Sequence, residues 1–204
     1  GLHGMLTRAH YKGNAGTNVD RDFVEFPSQL HEHWMFEPEL LKEYARHYQT
    51  GEVIPQELVD KLIASSKFNQ GFVNTELVGA ALLDLEWHKL TDLDNVNAAD
   101  FEASVAKKLG KPEEIEFRYR STYFNHIFGS DGYSAGYYTY LWAQVLDCDG
   151  YEVFMRNGVF DPATAAKLKH VLESGNDEDP MKLYEGFAGH RPDAGALLRD
   201  KGLE

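Results

Sequence analysis

The stretch Glu76-Leu77-Val78-Gly79-Ala80-Ala81-Leu82-Leu83-Asp84-Leu85 is apolar on nearly every side of a 3.6-residue turn. A segment of that kind fits a buried helix, because a surface helix keeps one polar face. Outward from it, the run over 134–154 carries aromatic residues on most faces of a helix, and the two segments are expected to form the core. Helical punctuation recurs around them, with proline at first-turn positions and glycine at stops. Pro38 opens a predicted helix over 37–49 that Gly51 closes, and Pro55 opens another to about Phe68. Asn97, with Asp100 three residues on, has the spacing of a capping box for a helix ending at Gly110. Asp161 and Pro162 start a helix that stops at Gly175, and Asp179 and Pro180 start one more. The alternation that strands require is scarce, so the sequence predicts an all-α fold. Loops are expected over 11–18, 91–97 and 128–133.

The chain has 204 residues, enough for one sizeable core, and a single helical domain over 1–204 is the expectation. No internal repeat, low-complexity tract or interdomain linker interrupts it. Hydrophobic residues make up 43% of the chain, yet no uninterrupted apolar run reaches the length of a bilayer span, so no membrane is implied. Lysine and arginine number 20 against 33 aspartates and glutamates, a formal charge of −13. That balance repels phosphate backbones and argues against a nucleic-acid partner. The one cysteine, Cys148, has no second thiol to pair with and sits in a helical pattern, so an inert buried thiol in a reducing cytoplasm is expected. No secretory signal is visible.

Two stretches carry chemistry. In Asp22-Phe23-Val24-Glu25-Phe26-Pro27-Ser28-Gln29, Phe23, Phe26, Leu30 and Trp34 form an apolar helical stripe that leaves Glu25 to one side. Pro27 either kinks that helix or sits close to its start. The second stretch runs His126-Ile127-Phe128-Gly129-Ser130-Asp131-Gly132-Tyr133-Ser134-Ala135-Gly136-Tyr137-Tyr138-Thr139-Tyr140-Leu141-Trp142. On its own it reads as a glycine-rich loop entering an aromatic core helix, its tyrosines there for packing.

These stretches, with the opening Gly1-Leu2-His3-Gly4-Met5-Leu6, resemble the thimet oligopeptidase family of zinc peptidases over nearly the whole chain. Residues 138–142, 149–151 and 172–176 are most similar to its bacterial peptidyl-dipeptidase branch, Dcp. The resemblance implies the C-terminal helical part of a zincin-type catalytic domain. It implies that Gly1 directly follows the H-E-F-G-H helix, whose two histidines hold zinc and whose glutamate activates water. Glu25 then matches the third zinc ligand. Tyr133 and Tyr140 match tyrosines whose hydroxyls donate to the forming oxyanion. His126 matches a substrate-contacting histidine, and Gly129 and Gly132 would let the loop approach a peptide backbone or move. Release of C-terminal dipeptides requires a cation for the free carboxylate, and Arg118 or Arg120 is chemically suited to it. His3 supports the zinc ligands, contacts substrate or is purely structural. The parent is expected to be an enzyme of the cytoplasm, with peptide substrates and the missing N-terminal part as partners. The fragment, holding one of three ligands, is expected to be inactive unless a retained N-terminal part restores the site. The alternative is a non-catalytic helical interaction module of peptidase ancestry. His31-Glu32-His33 lacks the spacing that puts two histidines on one helix face and is not a zinc motif.

Overall fold

The computed structural model describes all 204 residues. It contains eleven α-helices and four short 3-10 turns; the only β-type pairing is an isolated antiparallel bridge between Arg46 and Val53. The expected all-α fold is therefore present, and no helix is long and apolar enough to cross a membrane. The chain divides into two compact units, Gly1–Phe68 with Ala143–Glu204, and Asn69–Trp142.

The first unit holds α1 (Leu2–Leu6), α2 (Phe26–Glu32), α3 (Pro38–Tyr44) and α4 (Gln56–Ser65). Pro27 stands in the first turn of α2, so it starts the helix and does not kink it. Phe23, Phe26 and Leu30 are buried as the stripe requires. The predicted helix over 37–49 ends at Tyr44, five residues early. Ala45 leaves helical geometry, the Arg46–Val53 bridge forms, and the His47 ring accepts the amides of Gln49 and Thr50. Gly51, at φ +72°, closes that turn and not a helix. The α4 helix also stops short of Phe68, at Ser65.

The second unit contains α5 (Gln70–His88), α6 (Ala98–Leu109), α7 (Asn125–Phe128) and the first turn of α8 (Thr139–Asn157), whose remainder lies in the first unit. Leu77, Ala80 and Ala81 of α5 are buried with Phe124, Ile127 and Tyr137. On another side of the same helix, Leu83 is buried with Val105 and Phe117. This use of two sides explains why α5 is apolar nearly all round. Asn97 caps α6 by accepting the amides of Ala99 and Asp100, and Gly110 ends it in the left-handed conformation. The predicted helix over 134–154 begins at Thr139 and runs on to Asn157. Residues 134–138 instead form turns, with Ala135 at φ +54°. Asp84, fully buried, accepts the amides of Ala135 at 3.0 Å and Tyr137 at 2.8 Å, which draws them away from helical pairing.

The rest of the first unit is α9 (Pro162–Ser174), α10 (Pro180–Ala188) and α11 (Ala194–Lys201). Asp161 and Asp179 cap α9 and α10 through the amides of Thr164 and Lys182, as their Asp-Pro starts predict. The core here is aromatic. Phe26 meets Tyr184 edge-on at 5.4 Å, and Phe187 lies 6.2 Å from Phe26 and 5.9 Å from Phe154. Gly150 of α8 lets these rings close in, since a Cβ there would stand 3.2 Å from Phe187 and 3.3 Å from Phe26.

Candidate functional site

The site residues named from sequence fall in both units. In the second unit, α7 carries His126, the 3-10 turn Asp131–Tyr133 carries Tyr133, and the first turn of α8 carries Tyr140. The rings of Tyr133 and Tyr140 stack at 5.4 Å and 9°. The ring of His126 stands edge-on to both, at 5.9 Å from Tyr133 and 6.1 Å from Tyr140. Tyr137 closes the group 5.7 Å from His126. Packed rings of this kind hold side chains in place. His126 is exposed and both tyrosines are partly buried, so the cluster is accessible from solvent. Gly129 and Gly132 flank the cluster. A Cβ on Gly129 would meet the Asn125 carbonyl oxygen at 2.8 Å, so that position requires glycine for close approach.

The two arginines differ in their partners. Arg118 reaches Glu76 at only 3.6 Å and lies 5.9 Å over the Tyr119 ring, which in turn lies 5.9 Å from His126. A hydrogen bond to Arg118 draws the Tyr119 hydroxyl below the ordinary phenol range, whereas burial first, and Tyr119 second, push Tyr137 up. Arg120 instead bonds Glu102 at 2.6 Å, and that buried carboxylate also accepts the Ser121 amide. Arg118 thus adjoins the aromatic cluster, and Arg120 is part of an ion pair that fixes the start of its loop.

In the first unit, Glu25 is the residue before α2 and is partly buried. Ser28 Oγ donates to Glu25 Oε2 at 2.9 Å and to the Glu25 carbonyl at 3.0 Å. The hydroxyl orients the carboxylate, as partners of metal-binding carboxylates do. His3 of α1 is buried, its Nε2 has no hydrogen-bond partner, and burial lowers its pKa. A carboxylate oxygen and an imidazole are suitable zinc donors, but Glu25 alone supplies one of the three protein ligands that a catalytic zinc requires.

A different cluster in the same unit was not found from sequence. His33 Nε2 lies 2.6 Å from Asp147 Oδ1, and the ligand atoms of His33, Asp147 and Cys148 all lie within 4.8 Å of one another. Stacking on Tyr151 at 4.4 Å fixes the His33 ring. Burial raises the Asp147 pKa against the opposing pull of His33, and burial pushes the Cys148 thiol up. His31 and His33 turn apart, His31 to the Pro27 carbonyl and His33 to Asp147. The partners of His33 lie more than a hundred residues away along the chain, beyond the reach of any local spacing rule.

The chain is 44% identical over 206 residues to the dipeptidyl carboxypeptidase of Escherichia coli (strain K12), which covers 99% of this chain and 30% of that protein. The dipeptidyl carboxypeptidase of Salmonella typhimurium is 43% identical over all of this chain, and oligopeptidase A of Haemophilus influenzae 36%, each covered over 30% of its own length. The chain therefore spans about a third of the length of these relatives. The model of peptidase family M3 matches residues 1–203. This chain belongs to peptidase family M3.

Proposed function

We propose that these 204 residues form part of a zinc metallopeptidase that releases dipeptides from the C-termini of peptides. The observation that carries the reading is the stacked Tyr133–Tyr140 pair with His126 edge-on to both rings, in a chain 44% identical to a dipeptidyl carboxypeptidase. In this reading Glu25 is the one metal ligand carried here, and polypeptide outside these residues supplies two histidines and the general-base glutamate. Zinc, when bound, polarises the scissile carbonyl and acidifies its water. Tyr133 and Tyr140 donate hydrogen bonds to the oxygen on which negative charge develops, and those bonds strengthen in the transition state. His126 contacts the substrate, and Gly129 and Gly132 admit its backbone. Arg118 holds the free C-terminal carboxylate in preference to Arg120, which Glu102 already engages. The protein acts in the cytoplasm, and the 204-residue chain alone is inactive.

The full reading frame tests this. Its product is expected to bind one zinc and to release dipeptides from peptides with a free C-terminus, whereas the 204-residue chain binds negligible zinc. Tyr133→Phe and Tyr140→Phe are each expected to lower kcat by on the order of a hundredfold or more. Arg118→Met should raise KM for free-acid peptides and leave amidated ones unchanged. Full kcat in both tyrosine variants would overturn the assignment of the oxyanion donors.

A further inference from the structure

In the second unit Ser134 is hydrogen-bonded to His88, and His88 to the main-chain carbonyl of Asp84. Ser134 Oγ lies 2.7 Å from His88 Nε2, and His88 Nδ1 lies 2.8 Å from Asp84 Oδ1. Asp84 and His88 are one turn apart on α5, the spacing that brings side chains together on a helix face. The carboxylate is fully buried, and the amides of Ala135 and Tyr137 hold both of its oxygens. An acceptor fixed against Nδ1 selects the tautomer with the proton on Nδ1. Nε2 then keeps its lone pair, and Nε2 is the nitrogen that the Ser134 hydroxyl reaches. The Asp84 carbonyl 2.9 Å from Nδ1 and the Phe128 ring 6.0 Å away fix the imidazole further.

A hydroxyl bonded to one imidazole nitrogen, with the other nitrogen held by an acceptor, is the arrangement of the acyl-transfer triad, which geometry and roles identify on unrelated folds; here the acceptor is the Asp84 carbonyl, with the Asp84 carboxylate beside it. Ser134 follows the 3-10 turn Asp131–Tyr133, and Ala135 at φ +54° turns the chain sharply just after it. Ser134 is exposed and the His88 side chain is one-quarter exposed, so a small electrophile reaches both.

We propose that Ser134 is an activated nucleophile, with His88 as general base and Asp84 as its positioning residue, that accepts acyl or phosphonyl groups from activated donors. With an aryl ester, Oγ bonds to the carbonyl carbon while its proton passes to His88 Nε2. The carbon–aryloxy bond breaks, and the phenol leaves with the proton returned from His88. With a fluorophosphonate, the oxygen–phosphorus bond forms, the phosphorus–fluorine bond breaks, and fluoride and the proton depart. The structure also limits the chemistry. The amides of Ala135 and Tyr137 donate to Asp84, and the Gly136 amide donates to the Tyr133 carbonyl at 2.9 Å. None of the three is turned to an oxyanion, and each missing donor of that kind costs about 10²–10³ in rate. Activated donors therefore acylate Ser134, the adduct accumulates, and ordinary amides are left intact.

The 204-residue chain is treated with a fluorophosphonate, the adduct is mapped by mass spectrometry, and its rate of formation is followed against pH. One adduct is expected, on Ser134, and absent from Ser134→Ala. His88→Gln keeps a hydrogen-bonding side chain but accepts no proton, and general-base catalysis is worth about 10²–10⁴-fold, so labelling should slow at least tenfold. The wild-type rate should follow a single ionisation that His88→Gln abolishes. No adduct on Ser134, an adduct that survives Ser134→Ala, or a His88→Gln rate within tenfold of wild type would overturn the proposal. If His88→Gln is unstable, a flat wild-type pH profile overturns it equally.

Discussion

Replacing Asp84 by asparagine isolates the hydrogen bonding of one buried carboxylate, because the two side chains have nearly the same shape. In the native chain Asp84 Oδ1 accepts from Ala135 N and faces His88 Nδ1, while Oδ2 accepts from Tyr137 N. A carboxamide offers one oxygen. Placed at the Oδ1 position it keeps the Ala135 amide, but its NH2 then points at the Tyr137 amide, donor against donor. The variant buries two unsatisfied donors, the Tyr137 amide and its own NH2, at about 1–3 kcal/mol each. The sum is a loss of about 2–6 kcal/mol, a large fraction of the stability of an ordinary domain. Flipping the amide gives no relief, because the NH2 then faces the Ala135 amide instead. Urea unfolding of the 204-residue chain and of Asp84→Asn, followed by far-UV and near-UV circular dichroism, measures the difference. The midpoint should fall with the slope unchanged. A loss under about 1 kcal/mol at equal slope would refute the claim that this carboxylate organises the turn carrying Tyr133 and Ser134.

Gly175 stands at φ +56° and ψ −128°, and a Cβ there would lie 2.1 Å from the Asn14 carbonyl oxygen. Gly175→Ala combines backbone strain of about 1–3 kcal/mol with a steric clash of similar size, so the melting temperature should fall by several degrees or more; an unchanged melt excludes this account. Alkaline stability follows from the phenols. Burial raises the folded-state pKa of Tyr137, Tyr151 and Tyr184, with Tyr119, Glu37 and Asp149 respectively adding to it. A raised pKa means stability that is complete below the unfolded value of about 10 and is lost as pH rises toward the folded one; Tyr119, drawn down by Arg118, works weakly against this. Unfolding above about pH 10, accompanied by late phenolate absorbance that Tyr184→Phe reduces, is the expected result. Cys148 is 4% exposed and burial pushes its thiol up, so a thiol reagent should label it only in denaturant; rapid labelling of the native chain would show that the core around α8 opens.

What was legible in the sequence was local. Asn97, Asp161 and Asp179 cap the helices they precede, because a cap depends on a side chain and the two or three amides that follow it. The errors arose where distant groups compete for the backbone. The helix over 37–49 lost its last turns to a bridge between Arg46 and Val53, and the helix over 134–154 lost its first turn to Asp84, some fifty residues upstream. Glu25, Tyr133 and Tyr140 were marked by family resemblance and not by spacing, since a lone glutamate and a run of tyrosines have ordinary structural uses. The Ser134–His88–Asp84 set was not read from the sequence, because its two local parts stand some fifty residues apart with no spacing rule to join them. One signal did point to the join. Asp84 lies in a segment that is otherwise apolar nearly all round, and a buried carboxylate is tolerable only when donors satisfy it. The helix has its own amides engaged, so most of those donors must come from elsewhere in the chain. A glycine-rich turn that cannot continue as helix is where unpaired amides are found. The acidic residue in the core helix and the irregular loop before α8 are therefore two halves of one requirement, which fixes the position of Tyr133 and Ser134 as firmly as any apolar contact.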